Sequence, residues 1–294
     1  MEDYLVRAVS GEGECRAVAV VTTGVVEEAR RRHGTWPVVT AALGRTLTAA
    51  LLLGANLKGD DLLTLRVLGD GPVGAIVVTA NGRGEVRGYV QEPRVDLPGT
   101  VEGKLPVGAA VGKNGTLYVT RDLGLKEPFT GSVELVSGEI GEDVAQYLLV
   151  SEQTPSAVSL GVLVGPDAAV KASGGLLLQL FPGASENTLS VLEKNISALP
   201  PVSSLVDRGM SPEEIVALAT AGLSMKVLDR SPVRFACKCS RERVEEVLLS
   251  LGREELEKLK RERGVAEVRC HFCGEVYHFS SPELDRLLQE AAPA

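Results

Sequence analysis

The chain has 294 residues, enough for two domains or for one large domain and a small one. Hydrophobic residues make up 44% and aromatics only 4%, so a core is affordable and must be built from Val, Leu, Ile and Ala. The formal net charge of -8, with no strongly basic region, argues against nucleic-acid binding, because phosphate backbones repel an acidic chain.

The start, Met1-Glu2-Asp3-Tyr4, lacks the basic opening and apolar core of a signal peptide. A cytoplasmic protein with reduced thiols is expected. Residues 1–184 read as one domain. Leu5–Ser10 and Cys15–Thr22 are β-rich runs joined by a Gly11-Glu12-Gly13-Glu14 hairpin signal. Val25–His33 predicts a short helix stopped by Gly34. Pro37–Asn56 predicts a long buried helix; Arg45 in its middle speaks against a membrane span. Strands are expected at Leu62–Leu68, Val73–Thr79, Glu85–Gln91, Leu117–Arg121 and Ser132–Val136, then a helix over Glu142–Val150. The alternation of Val158, Leu160, Val162 and Val164 predicts a half-buried strand, and Leu176–Phe181 another.

Residues 185–232 read as a helical linker. Leu189, Leu192, Ile196 and Leu199 form an apolar stripe on a helix ended by Pro200-Pro201. Ser211-Pro212-Glu213-Glu214 is a strong helix start, with the helix expected to run to about Leu228. Such helices need a surface to dock on. Residues 233–294 form the third segment, with helices expected after Ser240, over Arg253–Arg263 and after Ser281. The fold class is therefore α+β: a β-rich N-terminal core with a long buried helix, a helical linker, and a small C-terminal helical zinc-binding domain.

That last segment holds Cys237-Lys238-Cys239 and Cys270-His271-Phe272-Cys273, two close pairs separated by a helical insert. Two tight pairs at this spacing are a metal-site layout, and one zinc held by Cys237, Cys239, Cys270 and Cys273 is expected. His271 or His278 replacing one cysteine is the alternative ligand set. Four thiolates leave zinc no open position, so the site is structural, and its metal supplies folding energy to a small, charged segment. Thiolates are also the oxidisable form of cysteine. An oxidant could eject the metal and form disulfides between neighbours, or the zinc could be permanent; the spacing leaves both open. Cys15, alone at the start of a strand, reads as a buried structural cysteine.

The chain resembles the heat shock protein 33 family of redox-regulated holdase chaperones. Three stretches carry the likeness: the cysteine pairs with Ser240-Arg241-Glu242-Arg243-Val244 and Tyr277-His278-Phe279; Ser151-Glu152-Gln153-Thr154-Pro155-Ser156-Ala157-Val158; and Gly174-Gly175-Leu176-Leu177-Leu178-Gln179-Leu180-Phe181-Pro182-Gly183-Ala184. Gln146 before Tyr147 departs from the second aromatic that members often carry. The resemblance implies an inactive or weakly active reduced form with zinc bound. On oxidation, it implies, Cys237 pairs with Cys239 and Cys270 with Cys273, zinc is released, the C-terminal region unfolds, and apolar surface binds unfolding client proteins without ATP. It also implies an active homodimer. Loss of the zinc domain could then expose the linker stripe; an inert linker is the plainer reading.

Other signals carry little. Gly69-Asp70-Gly71-Pro72-Val73-Gly74 matches a dinucleotide fingerprint, yet a strand follows where a helix is required. Ser151-Glu152-Gln153 reads as a helix-end hydrogen-bonding cluster, and Glu254–Arg263 as a solvated helix face. A zinc-ribbon nucleic-acid binder with a purely structural zinc is the rival function, and it lacks a basic patch and stacking aromatics. No catalytic triad is evident, so no enzyme, no nucleic-acid partner and no membrane are expected.

Overall fold

The structure, a computed structural model, describes residues 2–99 and 104–290. Met1 and residues 291–294, at the ends of the first and third expected segments, lie outside the described residues. The chain divides into two compact units, Met1–Ala236 and Cys237–Ala294. Residues 185–232, expected as a linker, fall in the first.

The first unit opens with the hairpin β1 (Tyr4–Ser10) and β2 (Cys15–Val21), followed by α1 (Thr23–His33) and α2 (Pro37–Gly54). Strands β3 (Leu62–Leu68), β4 (Ala75–Asn81) and β5 (Glu85–Val90) lead to a short α3 (Val107–Val111). Then come β6 (Thr116–Asp122), β7 (Phe129–Glu134), α4 (Gly141–Val150), β8 (Ser156–Val164) and β9 (Val170–Leu180). Helices α5 (Glu186–Ala198), α6 (Val202–Asp207) and α7 (Pro212–Ala219) follow, and the unit ends with β10 (Met225–Pro232) and β11 (Arg234–Phe235). These strands build a five-stranded sheet, β10-β1-β2-β9-β8, and a six-stranded sheet, β11-β5-β4-β3-β6-β7.

Helix α2 packs on strands of both sheets. Every residue from Val38 to Gly54 except Arg45 is buried, which explains its predominantly apolar sequence. By length and composition it could cross a bilayer, but here it is an interior helix. Arg45 is accommodated by an ion pair with Glu139, which also accepts from the Gly108 N–H at 2.9 Å. The rejected glycine motif has a packing explanation. A Cβ on Gly69 would lie 2.0 Å from the Val111 carbonyl oxygen, and one on Gly71 2.3 Å from that of Ala110. The backbone of α3 takes the space a side chain would need.

The other face of the five-stranded sheet receives the linker helices. It is lined by small residues, among them Ala8, Ala17, Ala19 and Ala172, with Cys15, Leu176 and Leu178. Leu192, Val202, Leu205, Ile215 and Val216 of α5, α6 and α7 pack on it. The closest approach is at Gly161 and Gly174, which pair across β8 and β9. A Cβ on Gly161 would sit 2.6 Å from the Ser203 nitrogen, at the start of α6. The helices thus find their docking surface on the sheet of their own unit.

Two expectations are corrected. The helix capped by Ser211 does form, with Ser211 and Glu214 exchanging bonds of 3.3 and 2.8 Å. It ends at Ala219 rather than near Leu228. Gly222, at φ 92, turns the chain, and Met225–Pro232 becomes an edge strand paired with β1. Arg7 holds Asp229 there through two bonds of 2.8 Å. After Pro232 the chain crosses to the other sheet, where β11 lies parallel to β5. The third segment is helical, as expected, and also carries a strand pair. It contains α8 (Arg241–Ser250), α9 (Arg253–Arg263), the antiparallel pair β12 (Ala266–Arg269) and β13 (Val276–Phe279), and α10 (Ser281–Glu290). Glu283 accepts from both the backbone and the hydroxyl of Ser280, so the start of α10 is organised by Ser280 rather than Ser281. The core here is small: Val244, Leu248, Leu256, Ala266, Phe279, Leu284, Leu287 and Leu288.

The start of α5 is tied to the β1–β2 hairpin. The Glu14 carboxylate accepts from the Ser185 N–H at 3.0 Å, from the Ser185 hydroxyl at 3.1 Å and from the Thr188 hydroxyl. An anion at a helix N-terminus is favoured by the exposed N–H groups and the helix dipole. The Thr188 bond, then the Ser185 N–H, hold Glu14 below its usual range. Because the folded value is lowered, this contact stabilises above the ordinary glutamate value of about 4.3 and is lost as pH falls through the lowered one. Amide protection in the first turn of α5, corrected for intrinsic exchange, is therefore expected to drop below about pH 4. In Glu14→Gln it should already be low at neutral pH. Equal protection in parent and variant at pH 7 would contradict this anchoring role.

Candidate metal centre

Two turns of the C-terminal unit bring the cysteines together. Cys237 and Cys239 lie just before α8, whose first turn is capped by the Ser240 hydroxyl accepting from the Arg243 N–H at 3.3 Å. Cys270 and Cys273 lie in the turn joining β12 to β13. There the Cys270 N–H donates to the Glu275 carbonyl at 2.9 Å and the Gly274 N–H to the Cys270 carbonyl at 2.8 Å. Gly274 adopts φ 73, a conformation open to glycine, and this folds the turn back so that both sulfurs face the same point.

All four sulfurs lie within 4.8 Å of one another. Cys237 and Cys270 are 3.8 Å apart, and Cys239 and Cys273 3.3 Å. A tetrahedron with metal–sulfur bonds of about 2.3 Å requires sulfurs about 3.8 Å apart. The arrangement therefore fits one tetrahedral metal ion, and four soft donors suit zinc or iron. Burial pushes the thiols of Cys239 and Cys273 up from their ordinary value. A bound dication reverses that cost by supplying the positive charge that thiolates need.

The surroundings hold these turns in place. The Tyr277 hydroxyl donates to Cys239 Sγ at 3.2 Å. Arg241 stacks over the Phe279 ring at 4.3 Å and donates to Glu283 at 2.7 Å and to the His278 carbonyl at 3.0 Å, joining the starts of α8 and α10 to β13. His271 and His278 lie outside the sulfur cluster; His271 is exposed, and His278 faces Glu267 across the hairpin at 3.7 Å. Cys15 is a free, fully buried thiol beneath the linker helices. Tyr277 entered the sequence reading only as part of a resemblance. Nothing in its spacing from Cys239 announces a contact made across the hairpin.

The linker stripe is on α5 and at its end. Leu192 is buried against the sheet, Ile196 and Leu199 pack at the edge of that cluster, and Leu189 is 40% exposed. Leu189, Leu192 and Ile196 also line a cavity of about 190 Å³ with Ala157, Leu178 and Leu180. The stripe therefore covers the sheet without filling the space beneath it.

The family model described as Hsp33 protein matches residues 3–280. A 33 kDa chaperonin of Desulforamulus reducens is 62% identical over 289 residues, covering 98% of each chain. A 33 kDa chaperonin of Bacillus cereus is 51% identical, covering 98% of this chain and 99% of that one. The crystal structure of the 33 kDa chaperonin (heat shock protein 33 homolog) of Thermotoga maritima superposes with a TM-score of 0.92 at 38% identity, over 99% of both chains.

The ligand set can be tested directly. Cys270→Ser is expected to weaken metal binding by more than about 100-fold, whereas His271→Ala and His278→Ala should keep one metal per chain. A histidine variant that loses metal as completely as the cysteine variant would contradict a four-cysteine set.

Proposed function

The chain belongs to the Hsp33 family, and on that premise we propose that it is an ATP-independent holdase whose four-cysteine centre carries zinc and acts as a redox switch. The gathering of four sulfurs within 4.8 Å is the observation that carries this reading. Zinc, when bound, would offset two of the four thiolate charges and tie the residues before α8 to the β12–β13 turn. Peroxide reacts with a thiolate to give a sulfenic acid and hydroxide. A neighbouring thiolate then attacks that sulfur and forms a disulfide, releasing a second hydroxide. Following the family resemblance, Cys237 pairs with Cys239 and Cys270 with Cys273. Each bridge removes two ligands, and two remaining donors do not close a tetrahedral site.

The C-terminal unit then depends on its small core alone and unfolds. The chain loses its folded continuation directly after Ala236, whose N–H donates to the Val86 carbonyl at 2.9 Å. β11, β10 and the linker helices loosen from that end. Release of α5, α6 and α7 bares two apolar surfaces: the stripe Leu189, Leu192, Ile196 and Leu199, and the sheet face around Leu176 and Leu178. Apolar surface of this extent binds the exposed apolar segments of unfolding proteins. The active form is a homodimer, the compartment is the cytoplasm, and binding involves no substrate turnover.

Peroxide with mild heat is expected to release one zinc per chain and to produce a form that suppresses light scattering by an aggregating client. Dithiothreitol should restore the thiols. Cys15, which is buried with the sheet face, should become reactive to a maleimide in the same samples that suppress aggregation. Full suppression by the reduced, zinc-loaded protein with Cys15 still protected would contradict the switch.

A further inference from the structure

The hydrogen bond from Tyr277 to Cys239 is the one side-chain hydroxyl contact described at the sulfur cluster, and its consequence is chemical rather than architectural. On β13, Tyr277 shares a face with the fully buried Phe279 and packs against the unit's core, as does its cross-strand neighbour Val268. The phenol ring is therefore held on one side by the core. Its hydroxyl reaches out of that core to a sulfur 38 residues away in sequence.

We propose that Tyr277 is a positioning residue that sets how readily the centre is oxidised, by donating its hydroxyl proton to the Cys239 thiolate and restraining its lone pair. The proposal rests on the redox reading above and adds to it what governs the rate. In the first oxidation step, the Cys239 thiolate donates an electron pair to one peroxide oxygen. The S–O bond forms, the O–O bond breaks, and hydroxide leaves; sulfur is oxidised by two electrons and peroxide reduced by two. A donor on that sulfur lowers its basicity and hence its nucleophilicity. Removing the donor leaves the sulfur lone pair less restrained and the sulfur a better nucleophile toward peroxide.

The test uses the full chain loaded with cobalt(II) or zinc, in two variants that move the hydrogen bond in opposite directions. Tyr277→Phe keeps the ring and removes the donor. Site-specific 3-fluorotyrosine at position 277 keeps the shape with a more acidic, stronger donor. The sulfur-to-cobalt charge-transfer band should shift to lower energy in Tyr277→Phe and to higher energy with fluorotyrosine. Zinc release by peroxide should be faster in the first and slower in the second. The melting temperature of the metal-loaded Phe variant should stay near that of the parent. A purely structural role would lower the melting temperature and leave the band in place, which would overturn the proposal. A parent that reacts with peroxide at the same rate as both variants would overturn it alone, whereas a parent inert to peroxide would sink the redox reading beneath it. If Tyr277→Phe fails to load metal, the fluorotyrosine protein decides: slower release supports the proposal and the parental rate overturns it.

Discussion

The C-terminal unit gathers four sulfurs into a space that fits one cation, and the proposed function depends on that interaction. Burial disfavours ionisation of Cys239 and Cys273, and the crowding of four sulfurs within 4.8 Å would make four thiolates repel one another. A bound dication would convert that liability into a strong contact. The hydrophobic core offers little to replace it, since it amounts to a few Leu side chains, Val244 and Phe279. The remaining ties are surface ion pairs and the Arg241 contacts, which are too exposed to hold a fold of this size without the metal. On the proposed reading, metal occupancy and folding are one equilibrium in this part of the chain.

The first unit is built on a different balance. Its main core encloses α2 between two sheets with large, fully buried side chains such as Leu43, Leu47, Leu65 and Ile76. The opposite face of the five-stranded sheet is rich in alanines, with Cys15, Leu176 and Leu178 among them and glycines at the closest approach. Small residues let α6 approach closely at Gly161, yet they bury less apolar area per residue than the α2 side. The partly open groove of about 190 Å³ beside α5 and the 40% exposed Leu189 lie at the edge of this interface. The linker helices are thus covered by an interface weaker than the core it adjoins. The proposed switch, in which this face is uncovered by oxidation, relies on that difference in strength.

Much of this was legible in the residues. The cysteine spacing announced a metal cluster because the geometry of a Cys-x-x-Cys turn is local, and Ser211 announced a helix because a capping box is local. The long apolar run at Pro37 announced an interior helix for the same reason. What stayed hidden was long-range. Met225–Pro232 reads locally as the tail of a helix, and only pairing with Tyr4–Ser10 makes it a strand. The β12–β13 pair was obscured because its turn is occupied by the cysteines themselves. The surface receiving the linker was not readable either, since alanines in β2 become a docking face only when β9 is set beside them. Tyr277 shows the limit most sharply: its role is defined by one oxygen–sulfur distance that no sequence pattern encodes.

The coupling of metal to fold is measured most directly on a fully reduced sample treated with a strong chelator. Circular dichroism and calorimetry can follow it beside the metal-loaded protein. The account predicts that helices α8, α9 and α10 are lost while the Met1–Ala236 unit still shows a cooperative transition of its own. A chelated, reduced protein that keeps its full helical signal and melts no earlier than the loaded one would contradict it.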